Sequence, residues 1–311
     1  MSSPQNILIL GGTGFIGRNF VSHLLNSSSF PPSLIKVVDI KHPAMCNLGS
    51  FKMAFDDPRV TFQQGDLSKE RSVSRAFQLP EDSDSPGWDL VVNLAAETAH
   101  GSSTTVYDAR CSKLSGLCAF EAAKTTGTFY VEISTARVYP SMPRYPATET
   151  EAPKPHTVQA WYKLEAERRV QAVESLDSCV LRPAIVYGVG DRKGLMSRAV
   201  CAATYVGTGE VMKFLWDGAL RMNTVHVVDV CRAVEHAALN KEEFKNKVFN
   251  LADSGDSDQQ KVNGCLGEIF CVEVGFVGKL ISNVARINMD GVVQIANDKV
   301  SIGEPRSDRL I

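Results

Sequence analysis

The 311-residue sequence lacks several features that would each point to a special class of protein. It has almost no net charge, because 33 basic and 35 acidic residues leave −2, so no overall field favours nucleic acid or an anionic membrane. Its apolar runs are broken by glycine or by charge well before the roughly 20 residues that a membrane span needs. We therefore expect a small-molecule substrate as the partner, with no nucleic acid and no membrane.

The eight cysteines form no CxxC pair and have no histidine at the spacing of a zinc site. They predict neither a disulfide framework nor a metal site, and we interpret them as reduced, buried thiols. The start of the chain lacks a basic segment followed by an apolar segment of signal-peptide length. Secretion is not expected, and the predicted location is cytoplasmic.

Short β-branched runs alternate with longer segments of helical period through the first two thirds of the chain. This alternation is typical of a parallel sheet covered by helices on both faces. It predicts an α/β fold with a doubly wound (Rossmann) parallel sheet, whose ligand lies beyond the carboxyl ends of the strands. Strands are predicted over 7–10, 35–39, 60–63, 90–94, 129–134 and 179–182, and helices over about 15–27, 69–78, 104–126 and 157–175.

A glycine-rich loop at 11–17, GGTGFIG, directly follows the first predicted strand and opens a helix. Glycine at these spacings permits a tight turn, a close approach of the backbone to a pyrophosphate and close packing of the helix on the strand. The helix N-terminus adds free N–H groups and a positive dipole end. The loop therefore predicts a dinucleotide site. Its predicted cofactor contacts are Gly11, Thr13, Gly14, Phe15, Ile16 and Gly17.

Asp39 ends the second predicted strand, where a carboxylate can bind the adenosine ribose hydroxyls. A carboxylate also repels the 2′-phosphate of NADP. NAD is therefore the expected cofactor, and NADP is the less favoured alternative, which Lys41 could still allow by offsetting that repulsion.

The alternation of strands and helices becomes irregular after about residue 188. Residues 1–185 are predicted to form the dinucleotide-binding Rossmann domain, and a strand at 248–253 is predicted to return to its sheet. Residues 186–311 are predicted to form a small, discontinuous C-terminal substrate lobe.

Further motifs follow in order along residues 5–255. They are Gly65-Asp66-Leu67, Asn93-Leu94-Ala95-Ala96, STARVY at 134–139, LRPAIVYG at 181–188 and VHVVD at 225–229. With the glycine loop, they make the chain resemble the extended short-chain dehydrogenases/reductases, the NAD-dependent epimerase/dehydratase family. The resemblance implies that the cofactor is contacted at its adenine by Asp66 and Leu67, along the fourth strand by Leu94, Ala95 and Ala96, and near the nicotinamide by Pro183.

The catalytic YxxxK pair of that family is incomplete here. Lys163 with the following Leu-Glu-Ala-Glu fits the family's lysine, which places Gln159 where the tyrosine should stand. An alignment from Tyr162 instead puts Ala166 in the lysine position. We prefer the first alignment because its flanks agree, and the resemblance then implies that Lys163 binds the nicotinamide ribose.

A glutamine amide can hydrogen-bond a carbonyl or hydroxyl, but it does no acid or base work near neutral pH. Tyr162 takes over proton transfer if the helix is rotated or the substrate lies differently, and otherwise only packs. Thr135 keeps a hydroxyl for a substrate oxygen, and Tyr139 is a second candidate phenol. Glu149 and His100 are interpreted as polar surface. The predicted catalytic set is Thr135, Lys163, Tyr162 and Gln159.

Three functions remain open from the sequence. The favoured one is an oxidoreductase or epimerase acting on a small hydroxyl or carbonyl substrate with an atypical acid/base group. The second is a repurposed enzyme that promotes elimination, isomerisation or cyclisation, and the third is a non-catalytic dinucleotide-binding sensor or scaffold. The resemblance also implies a homodimer through the helices predicted at 104–126 and 157–175.

Overall fold

The computed structural model describes residues 5–80, 87–140, 146–286 and 288. In chain order, its strands are β1 (Gln5–Leu10), β2 (Pro32–Asp39), β3 (Val60–Gln64), β4 (Leu90–Asn93), β5 (Phe129–Ile133), β6 (Asp177–Pro183), β7 (Ile185–Tyr187), β8 (Met212–Phe214), β9 (Thr224–His226), β10 (Lys247–Leu251) and β11 (Val274–Phe276). Its α-helices are α1 (Phe15–Leu25), α2 (Lys52–Phe55), α3 (Glu70–Phe77), α4 (Thr104–Tyr107), α5 (Leu114–Ala122), α6 (Val158–Gln171), α7 (Met196–Thr208), α8 (Val227–Leu239), α9 (Lys241–Phe244) and α10 (Gln259–Phe270).

A seven-stranded sheet has the order β3–β2–β1–β4–β5–β6–β10, and every neighbouring pair in it is parallel. The order reverses between β1 and β4, so the carboxyl ends of these two strands border the crevice where parallel α/β sheets bind ligands. The predicted doubly wound parallel sheet is confirmed. The strand expected at 248–253 is β10, which pairs with β6.

The two faces of the sheet are buried by different helices. Ile7 and Ile9 of β1 lie in one core cluster with apolar side chains of α1 and α8, whereas Leu8 and Leu10 lie in another with side chains of α3, α5 and α6. Alternate residues of a strand point to opposite faces, so a strand that is apolar at every position needs a cover on both sides. Burying each such side chain contributes about 1.5–3 kcal/mol.

The long helix predicted at 104–126 is interrupted. It begins as α4, continues as a π-helical turn over Asp108–Lys113 and ends as α5. Tyr107, Cys111 and Ser115, which are spaced by four residues along this segment, are all buried. Ser115, in the first turn of α5, contacts the polar network described below.

Contacts divide the chain into two compact units. Unit 1 consists of Met1–Pro183 and Val227–Leu251, and unit 2 of Ala184–His226 and Ala252–Ile311. Unit 1 thus includes α8, which the sequence analysis had assigned to the substrate lobe. Of the residues predicted for that lobe, 287 and 289–311 lie outside the described part of the chain.

Unit 2 contains two short parallel strand pairs, β7 with β9 and β8 with β11, together with α7 and α10. Its buried Asp191 accepts hydrogen bonds from the backbone N–H groups of Lys193, Gly194, Leu195 and Met196, at 2.7–3.2 Å. One carboxylate therefore satisfies donors at the start of α7 that the helix itself leaves without partners.

All eight cysteines are free thiols. Five are buried as expected, but the prediction is wrong for Cys201, Cys265 and Cys271, which are exposed on α7, on α10 and at the end of α10. In the described ranges, no helix is long and apolar enough to cross a membrane. The same residues contain no group of three His, Cys, Asp or Glu side chains placed to hold a metal ion.

Candidate functional site

The glycine loop lies in the crevice between β1 and β4. Gly11 has φ +78°, and a Cβ added to it would lie 2.6 Å from the backbone nitrogen of Ala95. A Cβ on Gly17 would lie 2.5 Å from Cα of Gly12. At Gly14, by contrast, an added Cβ would meet only the carbonyl oxygen of Gly11, at 3.2 Å, among the described residues outside its chain neighbours. The fold itself therefore requires Gly11 and Gly17, whereas Gly14 leaves room for another molecule to approach the backbone.

Helix α1 presents its N-terminus at this loop. Gly14 is its N-cap, and no described side chain caps it. The first N–H groups of the helix, including those of Phe15 and Ile16, are the donors that an α-helix leaves unsatisfied, and they carry its positive dipole end. The buried Arg18 donates to the carbonyl oxygens of Thr13 and Gly14, at 3.0 and 3.2 Å, and thereby holds the loop from beneath. This arrangement suits an anionic group.

Asp39 lies beside the same loop, at the end of β2. Its carboxylate accepts a hydrogen bond from the Thr13 N–H at 3.1 Å and from the Lys41 N–H at 3.2 Å. The Gly65 N–H donates to the Asp39 carbonyl oxygen at 3.0 Å, so the Gly-Asp-Leu motif follows directly alongside.

Within that motif, Asp66 and Leu67 have different surroundings. Burial alone would raise the pKa of Asp66, but hydrogen bonds from Ser68 and the charges of Arg110 and Lys69 lower it below its ordinary value. The Leu67 side chain is buried in the core cluster with Leu8 and Leu10. Asp66 is therefore an ionised acceptor, whereas the side chain of Leu67 packs in the core.

The segment after β4 contacts the loop from the other side. The Leu94 N–H donates to the Leu10 carbonyl oxygen at 2.8 Å, and the Ala95 N–H donates to Oδ1 of Asn93 at 3.1 Å. Leu94, Ala95 and Ala96 are all half-buried. The structure thus brings Gly11, Asp39 and Ala95 together, as the motif order predicts.

A buried polar network lies behind this segment. Glu132 of β5 is 0% exposed, and its carboxylate accepts hydrogen bonds from Asn93 at 2.7 Å, Ser115 at 3.0 Å, Lys163 at 3.1 Å and Tyr130 at 3.3 Å. Burial alone would lower the pKa of Lys163, but Glu132 raises it above the ordinary lysine value. The lysine is therefore held as a charged ammonium group by a carboxylate that the sequence analysis did not identify.

Gln159 and Tyr162 face different neighbours on α6. The side-chain amide of Gln159 donates to the carbonyl oxygen of Glu97, at 2.9 Å, and so ties α6 to the loop after β4. The Tyr162 ring stacks on the buried Tyr107, with 6.2 Å between centroids, and meets Trp161 edge-on at 4.7 Å.

A second buried ion pair anchors α6. Glu167, four residues after Lys163, pairs with Arg182 of β6 at 2.5 Å and also accepts a hydrogen bond from Ser134. Arg182 in turn donates to the Tyr139 hydroxyl at 2.7 Å, and that hydroxyl donates to Asn250 at 3.0 Å. The phenol of Tyr139 is therefore engaged by two partners within unit 1.

The remaining predicted residues lie near the strand ends. Thr135 follows β5, and its hydroxyl accepts a hydrogen bond from the Arg137 N–H at 3.3 Å. Pro183 is buried at the end of β6. Glu149 is exposed, as expected, but its carboxylate accepts a hydrogen bond from the Asn250 N–H at 2.8 Å and so covers the edge strand β10. His100 is exposed.

The sequence analysis missed Arg18, Asn93, Glu132 and Glu167 as site residues. One signal for Glu132 was present. The segment FYVEI at 129–133 is typical of a central strand, and all its residues except Glu132 are apolar or aromatic. A carboxylate in such a strand is buried and needs a cationic partner. Lys163 and Glu167 were also spaced by four residues, which places them on one helix face.

Residues 7–252 match the family model described as the NAD dependent epimerase/dehydratase family. The dTDP-glucose 4,6-dehydratase of Streptomyces antibioticus aligns at 33% identity over 144 residues, 44% of this chain and 39% of that protein. The decarboxylating sterol-4-alpha-carboxylate 3-dehydrogenase of Candida albicans aligns at 26% over 198 residues, 61% of this chain and 53% of that protein. The chain thus spans less than two thirds of the length of these curated relatives.

Among solved structures, dTDP-glucose 4,6-dehydratase from Bacillus anthracis, in complex with NAD, superposes with a TM-score of 0.72. The sequence identity is 21%, and the superposition covers 88% of this chain and 85% of that one. At this level of identity the match shows a shared fold.

Proposed function

The chain belongs to the NAD-dependent epimerase/dehydratase family, and from this premise we propose that it binds NAD in unit 1 and exchanges a hydride with a small hydroxyl or carbonyl compound. The observation that carries the proposal is the contact of three separate motifs, in which Gly11 abuts Ala95 and Asp39 holds the Thr13 N–H. A glycine turn without a ligand needs neither a carboxylate at the second strand nor an uncapped helix N-terminus.

The residues of unit 1 fit the parts of a dinucleotide. The N–H groups at the start of α1, with Thr13 and Gly14, suit the pyrophosphate. Asp39 and Asp66 offer carboxylate acceptors to the adenosine ribose and the adenine amino group. Lys163 offers an ammonium group to the nicotinamide ribose, and Leu94, Ala95, Ala96 and Pro183 supply backbone and apolar surface along the cofactor. When bound, NAD accepts or returns a hydride.

The substrate class follows from the chemistry of the relatives. Two relatives are a dehydratase of dTDP-glucose and a dehydrogenase of a sterol carboxylate. Both compounds carry hydroxyl groups. In this chain, Thr135 binds the substrate oxygen and Gln159 donates a hydrogen bond to it, while a water molecule or Tyr162 transfers the proton. The family resemblance also implies a homodimer through α5 and α6, where Phe120 and Trp161 are exposed.

A second candidate function is dinucleotide binding without turnover, as in a sensor or scaffold. It is favoured because the polar groups near α6 that could act on a substrate already have partners within the protein. The Gln159 amide donates to a backbone carbonyl, the Tyr139 hydroxyl has two partners and Lys163 is paired with Glu132. A non-redox elimination, isomerisation or cyclisation at the same pocket is the third alternative, and it requires turnover without a net change of the cofactor.

Isothermal titration of NAD and NADP tests cofactor binding. We expect the wild type to bind NAD at least about tenfold more tightly than NADP, because the Asp39 carboxylate repels a 2′-phosphate. Asp39→Ser should narrow that ratio, since serine removes the charge but keeps an oxygen acceptor. Asp56→Ser, which removes an exposed carboxylate, should leave it unchanged. Failure of the wild type to bind either dinucleotide, or equal affinity for both, would overturn the assignment.

Absorbance at the reduced-nicotinamide band, with a panel of alcohols, ketones and nucleotide sugars, separates the candidate functions. We expect at least one compound to change the absorbance and Thr135→Ala to lower that rate by about 100-fold or more. Gln159→Tyr should abolish the activity if Gln159 belongs to an evolved site, and should create activity if the wild type only binds the dinucleotide. Product formation without any absorbance change indicates the non-redox alternative.

A further inference from the structure

Glu132 is a buried carboxylate of unit 1 that accepts hydrogen bonds from four different side chains. It is 0% exposed in the middle of a seven-stranded sheet, and it lies on the face that α5 and α6 cover. A carboxylate at such a place is costly unless it is paired and hydrogen-bonded. Its two oxygen atoms accept four hydrogen bonds, and one of the donors is cationic.

The cation is Lys163. Its ammonium group lies 3.1 Å from Oε1 of Glu132, and the exposed fractions of the two side chains are 9% and 0%. An ammonium group has three N–H donors, and the bond to Glu132 uses one of them. Glu132 therefore fixes the position of the lysine and leaves it with donors for a ligand.

The same carboxylate is connected with the glycine loop. Oε2 of Glu132 accepts from the amide of Asn93 at 2.7 Å, and Oδ1 of that amide accepts from the Ala95 N–H at 3.1 Å. Ala95 is the residue whose backbone nitrogen would lie 2.6 Å from a Cβ on Gly11. A continuous path of contacts thus runs from the loop to the lysine.

We propose that Glu132 is a positioning residue of the dinucleotide site, which holds the Lys163 ammonium group in place and keeps it charged for contact with the cofactor. The proposal rests on the proposed binding of NAD by unit 1. In this role Glu132 is the partner that holds Lys163 in position. The motif alignment puts Gln159 where the family's tyrosine usually stands.

The isosteric substitution Glu132→Gln tests this role. It keeps the size of the side chain and a carbonyl oxygen but removes the charge. The main group that raises the pKa of Lys163 against the effect of burial is then lost. The pKa of Lys163, followed by NMR of ¹³Cε-labelled lysine, is expected to fall in the variant, because burial disfavours the charged amine. The control Glu165→Gln removes a half-buried carboxylate on α6 that pairs with the exposed Arg168, and it should leave the Lys163 titration unchanged.

The affinity for NADH supplies the functional readout. Glu132→Gln is expected to weaken NADH binding by about tenfold at pH 7, and the loss should grow as the pH rises through the lowered pKa of Lys163. If Glu132 acts through the lysine, the double variant Glu132→Gln/Lys163→Met should bind NADH no more weakly than Lys163→Met alone. Glu132→Asp, which keeps the charge, should recover part of both effects. Thermal unfolding of each variant identifies any that fails to fold. The double variant contains neither charge of the buried pair, so no unpaired charge is left in the core.

The outcomes separate this role from the proposed function. A wild type that binds NADH, with an unchanged Lys163 titration or an unchanged NADH affinity in Glu132→Gln, overturns the positioning role alone. Additive losses in the double variant also overturn it, because they indicate a merely structural effect. A wild type that binds neither NAD nor NADH overturns the proposed function and this role together.

Discussion

Replacing Gly11 with alanine is expected to lower the free energy of unfolding by about 3 kcal/mol or more. Two costs add at this position. A residue with a Cβ is strained at φ +78°, by about 1–3 kcal/mol, and the Cβ would lie 2.6 Å from the backbone nitrogen of Ala95. Relief of that overlap displaces the loop from β4 and costs about 1–3 kcal/mol more. Urea unfolding monitored by circular dichroism measures the change.

Gly14→Ala is the matched control in the same loop. Gly14 has φ −66° and ψ 179°, which any residue adopts, and among the described residues outside its chain neighbours its Cβ would meet only the Gly11 carbonyl oxygen, at 3.2 Å. We expect a change in stability below about 1 kcal/mol but a loss of NADH affinity, because the Cβ fills the space over the helix N-terminus. Wild-type stability of Gly11→Ala would contradict the close approach of loop and strand. Wild-type NADH affinity of Gly14→Ala would contradict the loop as the dinucleotide site.

Glu167→Ala is expected to destabilise the protein by about 3–5 kcal/mol, because it leaves the Arg182 guanidinium buried without its carboxylate. The substitution also removes the carboxylate that accepts a hydrogen bond from the Ser134 hydroxyl. Thermal and urea unfolding of the variant measure the effect. Glu165→Ala, at a half-buried position of the same helix, breaks a pair with the exposed Arg168 and should change the stability by less than about 1 kcal/mol.

The double variant Glu167→Met/Arg182→Met tests the cause of that loss. Since most of the cost comes from the unpaired charge and little from the net strength of the pair, removal of both charges should recover most of the stability. If the double variant is as unstable as Glu167→Ala, packing and the bond from Arg182 to Tyr139 account for the loss instead.

The strands and the cofactor loop were predictable because their signals are local. A parallel strand that is covered on both faces reads as a continuous apolar run, and the predicted runs fall within or beside β1 to β6. The glycine spacing after β1 reflects what a tight turn needs within seven residues. The strands of unit 2 were not predicted, because β7, β8, β9 and β11 have only three residues each. Such short strands carry too little periodicity to be recognised.

The π-helical turn was missed for a related reason. The sequence from 104 to 122 has helical character throughout, and an extra residue in one turn changes the hydrogen-bond partners without changing the composition. The turn is seen only in the structure, where it directly precedes α5.

The sequence by itself determined the doubly wound sheet and the glycine loop with Asp39 at the next strand. Only the tertiary structure decided what the polar side chains of β5, β6 and α6 do. Glu132 and Lys163 are 31 positions apart, and Glu167 and Arg182 are 15 apart. Whether such charges meet in the core or stay in water depends on the pairing of the strands and the rotation of the helix over them. Those are set by the burial of the whole apolar face, which no local pattern encodes.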